Sequence, residues 1–317
     1  CATLGAMDPL PHELYSNVTD TALIFEGGGM RASYTSALVC AMLRTQIHVN
    51  WVAGISAGSS NTVNYVSRDI HRAAVSFVDF AADPRFGGPV SMLRGHGWFN
   101  AEYIYEQSYL PGQVLPFDYA TYSANPAATH IGAFRADTGE EQWFTRRDAA
   151  SAAALVRQVR ASSTMPGLMP MVTINGIDYV DGALGPGAGI ALPRAQEAGF
   201  TKFLVVLTRP RDYRKPPMRA SQLRFLSRLF RRHPAITEAL ATRPARYNRI
   251  REELFDLESG GQAYLFVPHT MQVASTERRL AALRASFAAG KAQAHQELAG
   301  IAQFLGCLLY TSPSPRD

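Results

Sequence analysis

Apolar residues fall in short unbroken runs, each followed by a stretch of different period. ALIFE (22–26) is such a run and predicts a buried strand. After three glycines, residues 31–47 place Ala37, Leu38, Ala41 and Met42 at helical spacing. WVAGI (51–55) predicts a second strand, with a helix running from Ala57 towards Arg68. Strand, helix, strand, helix implies right-handed crossovers and a parallel sheet. Residues 79–126, rich in Pro, Gly and aromatics, predict loops and short helices. HIGAFRADTGEEQWF (130–144) reads as a hairpin around an Asp-Thr-Gly turn, and DAASAAALVRQVRASS (148–163) as a helix with Asp148 as its N-cap. VTINGIDYVDGAL (172–184) holds an Asn-Gly turn between two short strands. FLVVLT (203–208) and AYLFV (263–267) predict two more buried strands, and 276–305 a long terminal helix. No internal repeat interrupts the order, which fits one α/β domain with the basic segment 209–251 as insertion or flank.

The chain has 317 residues, 47% hydrophobic and 18% charged, enough for a sizeable core. No run of 18 uncharged apolar residues and no secretory signal pattern is present, so a cytoplasmic location is expected. Three cysteines, Cys1, Cys40 and Cys307, suggest neither a disulfide framework nor a zinc site. Both ends read as foreign: CATLGAMDP resembles a vector remnant, with Met7 as a possible start, and CLLYTSPSPRD shares nothing with the helical pattern before it. The net charge of +5 is uneven: residues 209–251 hold thirteen Lys/Arg against Asp212 and Glu238, which leaves the rest net acidic.

EGGGMRA satisfies G-x-G-x-x-A through Gly27, Gly29 and Ala32, half of a dinucleotide fingerprint. The second strand ends in GISAGSS without the ribose-binding acid, and no Gly-Lys-Ser/Thr follows, so a nucleotide is disfavoured. GISAG (54–58) is instead G-x-S-x-G at a strand-to-helix turn, the setting of a nucleophile elbow. Ser56 is the candidate nucleophile; Gly54 and Gly58 leave room where strand and helix close together. In a parallel sheet the glycine turn shares an edge with Ser56, so the Gly28 and Gly29 amides can face an oxyanion, with Arg31 adding positive charge. None of the eight histidines sits in a marking motif. Asp181, ending a short strand before Gly182, is the better-placed base, its alternative being an ordinary Asp-Gly turn.

EGGGMRA, GISAGSS, ASSTMPGLMP and YVDGAL, in that order, resemble the patatin-like phospholipase family, from about Ala22 to Gly189. The resemblance implies a three-layer α/β fold with a mainly parallel central sheet and helices on both faces. It implies a serine lipid acyl hydrolase with a Ser56–Asp181 dyad, an oxyanion turn of Gly27, Gly28, Gly29 and Arg31, and Gly182 and Ala183 in the D-G-A motif. Ala32 departs from the glycine of many members. The expected organisation is an extension at 1–20, a catalytic core at 21–208, a basic helical segment with the last strand and helix of the same domain at 209–305, and a foreign tail at 306–317. The alternatives are a Ser-His-Asp α/β-hydrolase and a non-catalytic lipid-binding protein. No metal or cofactor is expected, and the substrate is a phospholipid or lysophospholipid. In SQLRFLSRLFRRHPAI (221–236), Leu223, Leu226, Leu229 and Phe230 line one helical face while Arg224, Arg228, Arg231 and Arg232 lie largely on another. Such a helix predicts either packing on the domain or peripheral binding to an anionic inner membrane face; no recognised module supports nucleic acid.

Overall fold

The computed structural model of the protein describes residues 14–307. CATLGAMDP, with Cys1 and Met7, and all of CLLYTSPSPRD except Cys307 lie outside the described residues.

The chain runs β1 (Val18–Phe25), α1 (Ala32–Arg44), β2 (Val49–Ile55), α2 (Ala57–Val66) and α3 (Ile70–Val75). The aromatic-rich stretch holds the one-turn helix α4 (Pro89–Leu93), a π-helical turn at Glu102–Gln107 and α5 (Tyr119–Ala124). β3 (Ala128–Arg135) and β4 (Glu141–Thr145) form the hairpin, then come α6 (Ala152–Ser163), β5 (Val172–Ile174) and β6 (Ile177–Asp181). α7 (Leu192–Glu197), β7 (Phe203–Val206), α8 (Ala220–Leu229), α9 (Pro234–Ser259), β8 (Ala263–Phe266) and α10 (Leu280–Leu305) complete it.

Five strands in the order β3-β2-β1-β7-β8 are parallel, and β4, β5 and β6 add antiparallel pairs at one side. Strand period sorts the core into two faces. Leu23 and Phe25 of β1 pack with Leu38 and Met42 of α1 and Ile301 of α10. Ala22 and Ile24 pack with Leu192 of α7 and Ile250 and Leu254 of α9. The result is three layers, with a mainly parallel sheet between helices. No helix among the described residues is long and apolar enough to cross a membrane.

Two predicted details differ. The N-cap of α6 lies three residues after Asp148: it is Ser151, which accepts from Ala154 N at 3.1 Å, while Asp148 closes a capping box with Thr145. The single helix read across 221–236 is two, α8 and α9. Pro234 opens α9, and a residue before proline is kept out of the α region, so His233 sits at φ −134°. Arg231 and Arg232 fall in the turn between them.

The sheet brings its chemistry together at β3. Gly132 pairs with Ile55 of β2 and with Trp143 of β4; Ala133 pairs with Gln142 of β4 and with Asp181 of β6. β4 therefore occupies one edge throughout, and on the other edge β2 gives way to β6. β2 runs parallel to β3 and β6 antiparallel, so their C-terminal ends meet head to head at Gly132–Ala133. Gly182, just past β6, passes so near β3 that a Cβ there would lie 2.2 Å from Gly132 O. Gly182→Ala is expected to push β6 off this edge and lower unfolding stability by about 1–3 kcal/mol, measured by denaturant titration.

Candidate active site

β2 ends at Ile55 and α2 begins at Ala57, and the single residue between them is strained. Ser56 has φ 58° and ψ −129°, a backbone state L-residues adopt at a cost of order 1–3 kcal/mol. The neighbours leave no alternative: a Cβ on Gly54 would meet Gly58 O at 2.2 Å, and one on Gly58 would meet Phe25 O at 2.1 Å. Ser162 of α6 pins the turn. Its Oγ accepts from Ser56 N at 2.9 Å and donates to Gly132 O at 2.6 Å, spanning the point where β2 ends. Ser56 itself is 6% exposed.

Asp181 stands opposite, also buried. Its backbone N donates to Thr164 O at 2.8 Å, and its Oδ1 accepts from Ala183 N at 2.8 Å. Burial raises the carboxyl pKa above the ordinary carboxylate value, against the Ala183 N–H, the Ser56 hydroxyl and the charge of Arg243, which favour the ionised form. The pairing of Ile55 with Gly132 and of Asp181 with Ala133 sets the two residues beside adjacent positions of β3.

The glycine turn lies beside them. Gly27 N donates to Gly189 O at 2.9 Å and Met30 N to Ser275 O at 3.0 Å. The Gly28 and Gly29 amides between them donate to no protein acceptor among the described residues, and Gly29 lines the same cavity as Ser56. The expectation that Gly27 also donates to the oxyanion is corrected here, since its N–H is already used. Its role is space: a Cβ there would lie 3.0 Å from Ser56 Cβ. The Arg31 guanidinium is buried; burial lowers its pKa to about 10, and it feels the charges of Arg209, Glu26, Tyr247 and Tyr213. Gly182 and Ala183 continue from Asp181 into a 3-10 turn.

Several residues holding this geometry carry no motif of their own. Glu26 accepts from Thr208 N and, at 2.7 Å, from Tyr247 Oη of α9; Thr208 Oγ1 donates to Gly27 O at 3.1 Å. The basic segment therefore props the glycine turn from behind through Tyr247, and supplies none of the cavity wall. Tyr105, on the π-helical turn, faces Ser163, Ser60 and the field of Asp181. Within ASSTMPG the sequence marks a motif, but only the fold shows that Ser162 is its pin.

From Ser56 an apolar cavity follows α2, walled by Met30, Phe80, Phe86, Phe99, Val159 and Met165. Its far end at Asn64, eight residues on and about 12 Å along the helix, is polar: buried Arg72 donates through Nε to Asn64 Oδ1 at 3.0 Å, with its Cζ 5.3 Å from the Phe117 ring centroid. No histidine lines this cavity. His130 pairs with Ala53 of β2 and stacks on Trp51 at 4.6 Å, and burial pulls its pKa down to about 4. Among the described residues no group of three His, Cys, Asp or Glu is placed to hold a metal ion. On α8 and in the turn after it, Leu223 and Leu226 are half-buried and Phe230 is buried, whereas Leu229 and the four arginines Arg224, Arg228, Arg231 and Arg232 are exposed.

A family model described as patatin-like phospholipase matches residues 23–192, and a domain of unknown function, DUF6363, matches residues 233–306. An uncharacterized Escherichia coli protein, YjjU, is 24% identical over 215 residues, covering 66% of this chain and 57% of its own length. The chain thus spans little more than half of that relative. The crystal structure of VipD from Legionella pneumophila aligns with 89% of this chain and 67% of its own at 11% identity and a TM-score of 0.43.

Two outcomes follow from the geometry. Ser162→Ala leaves Ser56 N and Gly132 O without their partner, so a loss of about 1–3 kcal/mol is expected in denaturant titration. A raised carboxyl pKa means that Asp181's contribution to stability is fully present below about pH 3.9, the unfolded value, and is lost as pH rises through the folded pKa. Asp181→Asn keeps the Oδ1 acceptor and removes the buried charge. Its melting temperature is expected to exceed wild type at pH 8, with the gap closing as the pH falls to 4.

Proposed function

The chain belongs to the patatin-like phospholipase family, and on that premise we propose that it is a serine lipid acyl hydrolase working through a Ser56–Asp181 dyad. The observation that carries this reading is the meeting of β2 and β6 on one edge of β3. It sets a strained, buried serine against a buried carboxylate whose pKa is raised. A carboxylate is a weak base in water; burial brings its proton affinity closer to what deprotonating a hydroxyl at neutral pH requires.

In the proposed cycle Asp181 takes the Ser56 proton as Oγ attacks the ester carbonyl carbon. The carbonyl oxygen becomes an oxyanion held by the Gly28 and Gly29 amides, each such donor being worth about 3 kcal/mol in the transition state. Collapse expels the alcohol, which leaves with the proton from Asp181. Water, deprotonated by Asp181, then attacks the acyl-serine, and the acid is released as Ser56 Oγ takes the proton back from Asp181. The acyl chain occupies the apolar cavity along α2, where removal from water favours it by about 0.8 kcal/mol per methylene. Phospholipid and lysophospholipid both present such an ester.

A fluorophosphonate probe is expected to label wild type at Ser56 and to leave Ser56→Ala unlabelled. Hydrolysis of lysophospholipid and of a soluble short-chain ester is expected to fall about 10⁴-fold in Ser56→Ala and Asp181→Asn, with both variants folded. A folded Asp181→Asn with near-normal turnover would remove the dyad. The wild-type rate is expected to drop as pH falls through the raised Asp181 pKa, above the usual carboxylate range.

A further inference from the structure

Two stretches of the surface combine exposed apolar side chains with an absence of negative charge. Residues 84–101 hold Arg94, Arg85, which pairs with Asp83 at 2.8 Å, and no Asp or Glu; residues 213–237 hold seven Lys/Arg and no Asp or Glu. In the first, α4 stands on a base fixed by hydrogen bonds from Gly88 N to Trp98 O at 2.7 Å and from Trp98 N to Leu168 O at 2.8 Å. Positive φ at Gly87, Gly88, Gly95 and Gly97 lets the chain turn out and back sharply around it. The helix so displayed points Val90, Met92 and Leu93 into solvent; Leu93 is 89% exposed. In the second, half-buried Leu226 of α8 and buried Phe230 just after it pack against the protein, and Phe225 is 64% and Leu229 51% exposed. Phe225 and Leu229 are one helical turn apart, and Arg224 and Arg228 form the adjacent row.

The two stretches lie on one face. A groove is walled by Met92 on one side and by Leu229, Arg231 and Arg232 on the other, and its floor is the loop 166–171. Met169 in that floor also lines the cavity beside Ser56. The surface patch and the candidate active site are therefore separated by a single loop.

We propose that this face docks onto an anionic lipid bilayer. Val90, Met92, Leu93, Phe225 and Leu229 enter the interface, and Arg94, Arg224, Arg228, Arg231 and Arg232 engage lipid phosphates. The bilayer as occupant is favoured by charge of one sign around apolar tips. Two protruding tips with a groove between them also suit a layer that deforms around them better than a rigid protein surface. Docking sets the loop carrying Met169 at the membrane, so a lipid ester has a short path to Ser56. The lipid identity of the partner rests on the acyl-hydrolase reading; the docking itself is measurable without catalysis.

The test uses the catalytically silent Ser56→Ala chain in co-sedimentation with phosphatidylglycerol and phosphatidylcholine vesicles. Binding to phosphatidylglycerol at least 10-fold tighter than to phosphatidylcholine is expected, weakening when salt is raised from 0.05 to about 0.5 M as charges are screened. Adding Leu93→Asp with Phe225→Asp, or Arg228→Glu with Arg231→Glu, is expected to cut binding to phosphatidylglycerol at least 10-fold, with circular dichroism unchanged. Equal binding to both vesicles, no binding to either, or binding that survives all four surface changes overturns the proposal. The wild-type rate on a soluble short-chain ester, read alongside, separates the two readings. Vesicle binding without any ester hydrolysis sinks the catalytic reading and leaves the docking face. Hydrolysis without vesicle binding does the reverse.

Discussion

One edge of one strand decides where everything else must be. β3 offers its edge to β2 as far as Gly132 and to β6 from Ala133 onward. Because β2 is parallel and β6 antiparallel to it, the residues that end them, Ser56 and Asp181, are delivered to the same point from opposite directions. Neither depends on a flexible loop for its position. The close passes follow from the same crowding: Gly182 against Gly132 O, Gly58 against Phe25 O, and Ser162 bonded to both sides of the junction. The junction also lies near the switch point of the sheet, where β1 is flanked by β2 on one side and β7 on the other. Open α/β sheets leave a crevice there, at the C-terminal ends of their strands.

The glycine turn is held by contacts from four distant parts of the chain. Gly189 O and Ser275 O take the amides on either side of Gly28 and Gly29. Thr208 and the Glu26–Tyr247 pair hold the backbone behind them. Two free N–H groups remain, fixed in direction by bonds made elsewhere. Preorganisation of this kind is worth more in a water-excluded site than in solvent, because no dipole has to turn during reaction. It also gives part of the basic segment a structural task. Tyr247 and fully buried Arg251, which donates to Pro210 O at 2.7 Å, tie α9 to the sheet, while the arginines of α8 and the turn after it stay in water.

The alternation of apolar runs and helical spacing was enough to read the strands and helices of the core, because buried parallel strands and their crossovers leave strong periodic marks. The elbow and the glycine turn were legible for a related reason: backbones that approach within van der Waals distance exclude every residue except glycine, and that exclusion is written in the sequence. Asp181 could be placed at a strand end, but its nearness to Ser56 depends on β6 replacing β2 on β3, a long-range pairing with no local signature. Ser162, Thr208 and Tyr247 were invisible for the same reason. Gly27 was grouped with its neighbours because three identical residues look alike; only the carbonyl of Gly189, 162 positions away, distinguishes it. The break before Pro234 was legible in principle, since proline restricts the residue before it, but the amphipathic pattern ran through it and dominated.

A serine triad uses a third side chain to orient and polarise its base. In the proposed dyad the backbone takes that task. Asp181 N is tied to Thr164 O, and one carboxylate oxygen, Oδ1, is tied to Ala183 N. A histidine base would need a buried acid behind it, and none of the described histidines lines the cavity beside Ser56. Asp181 is itself buried. That burial raises the carboxyl's proton affinity and, by the same free energy, makes the ionised form costly to keep in the fold. Base strength and the stability penalty at neutral pH are two readings of one desolvation, so a substitution at Asp181 that relieves the penalty also removes the base.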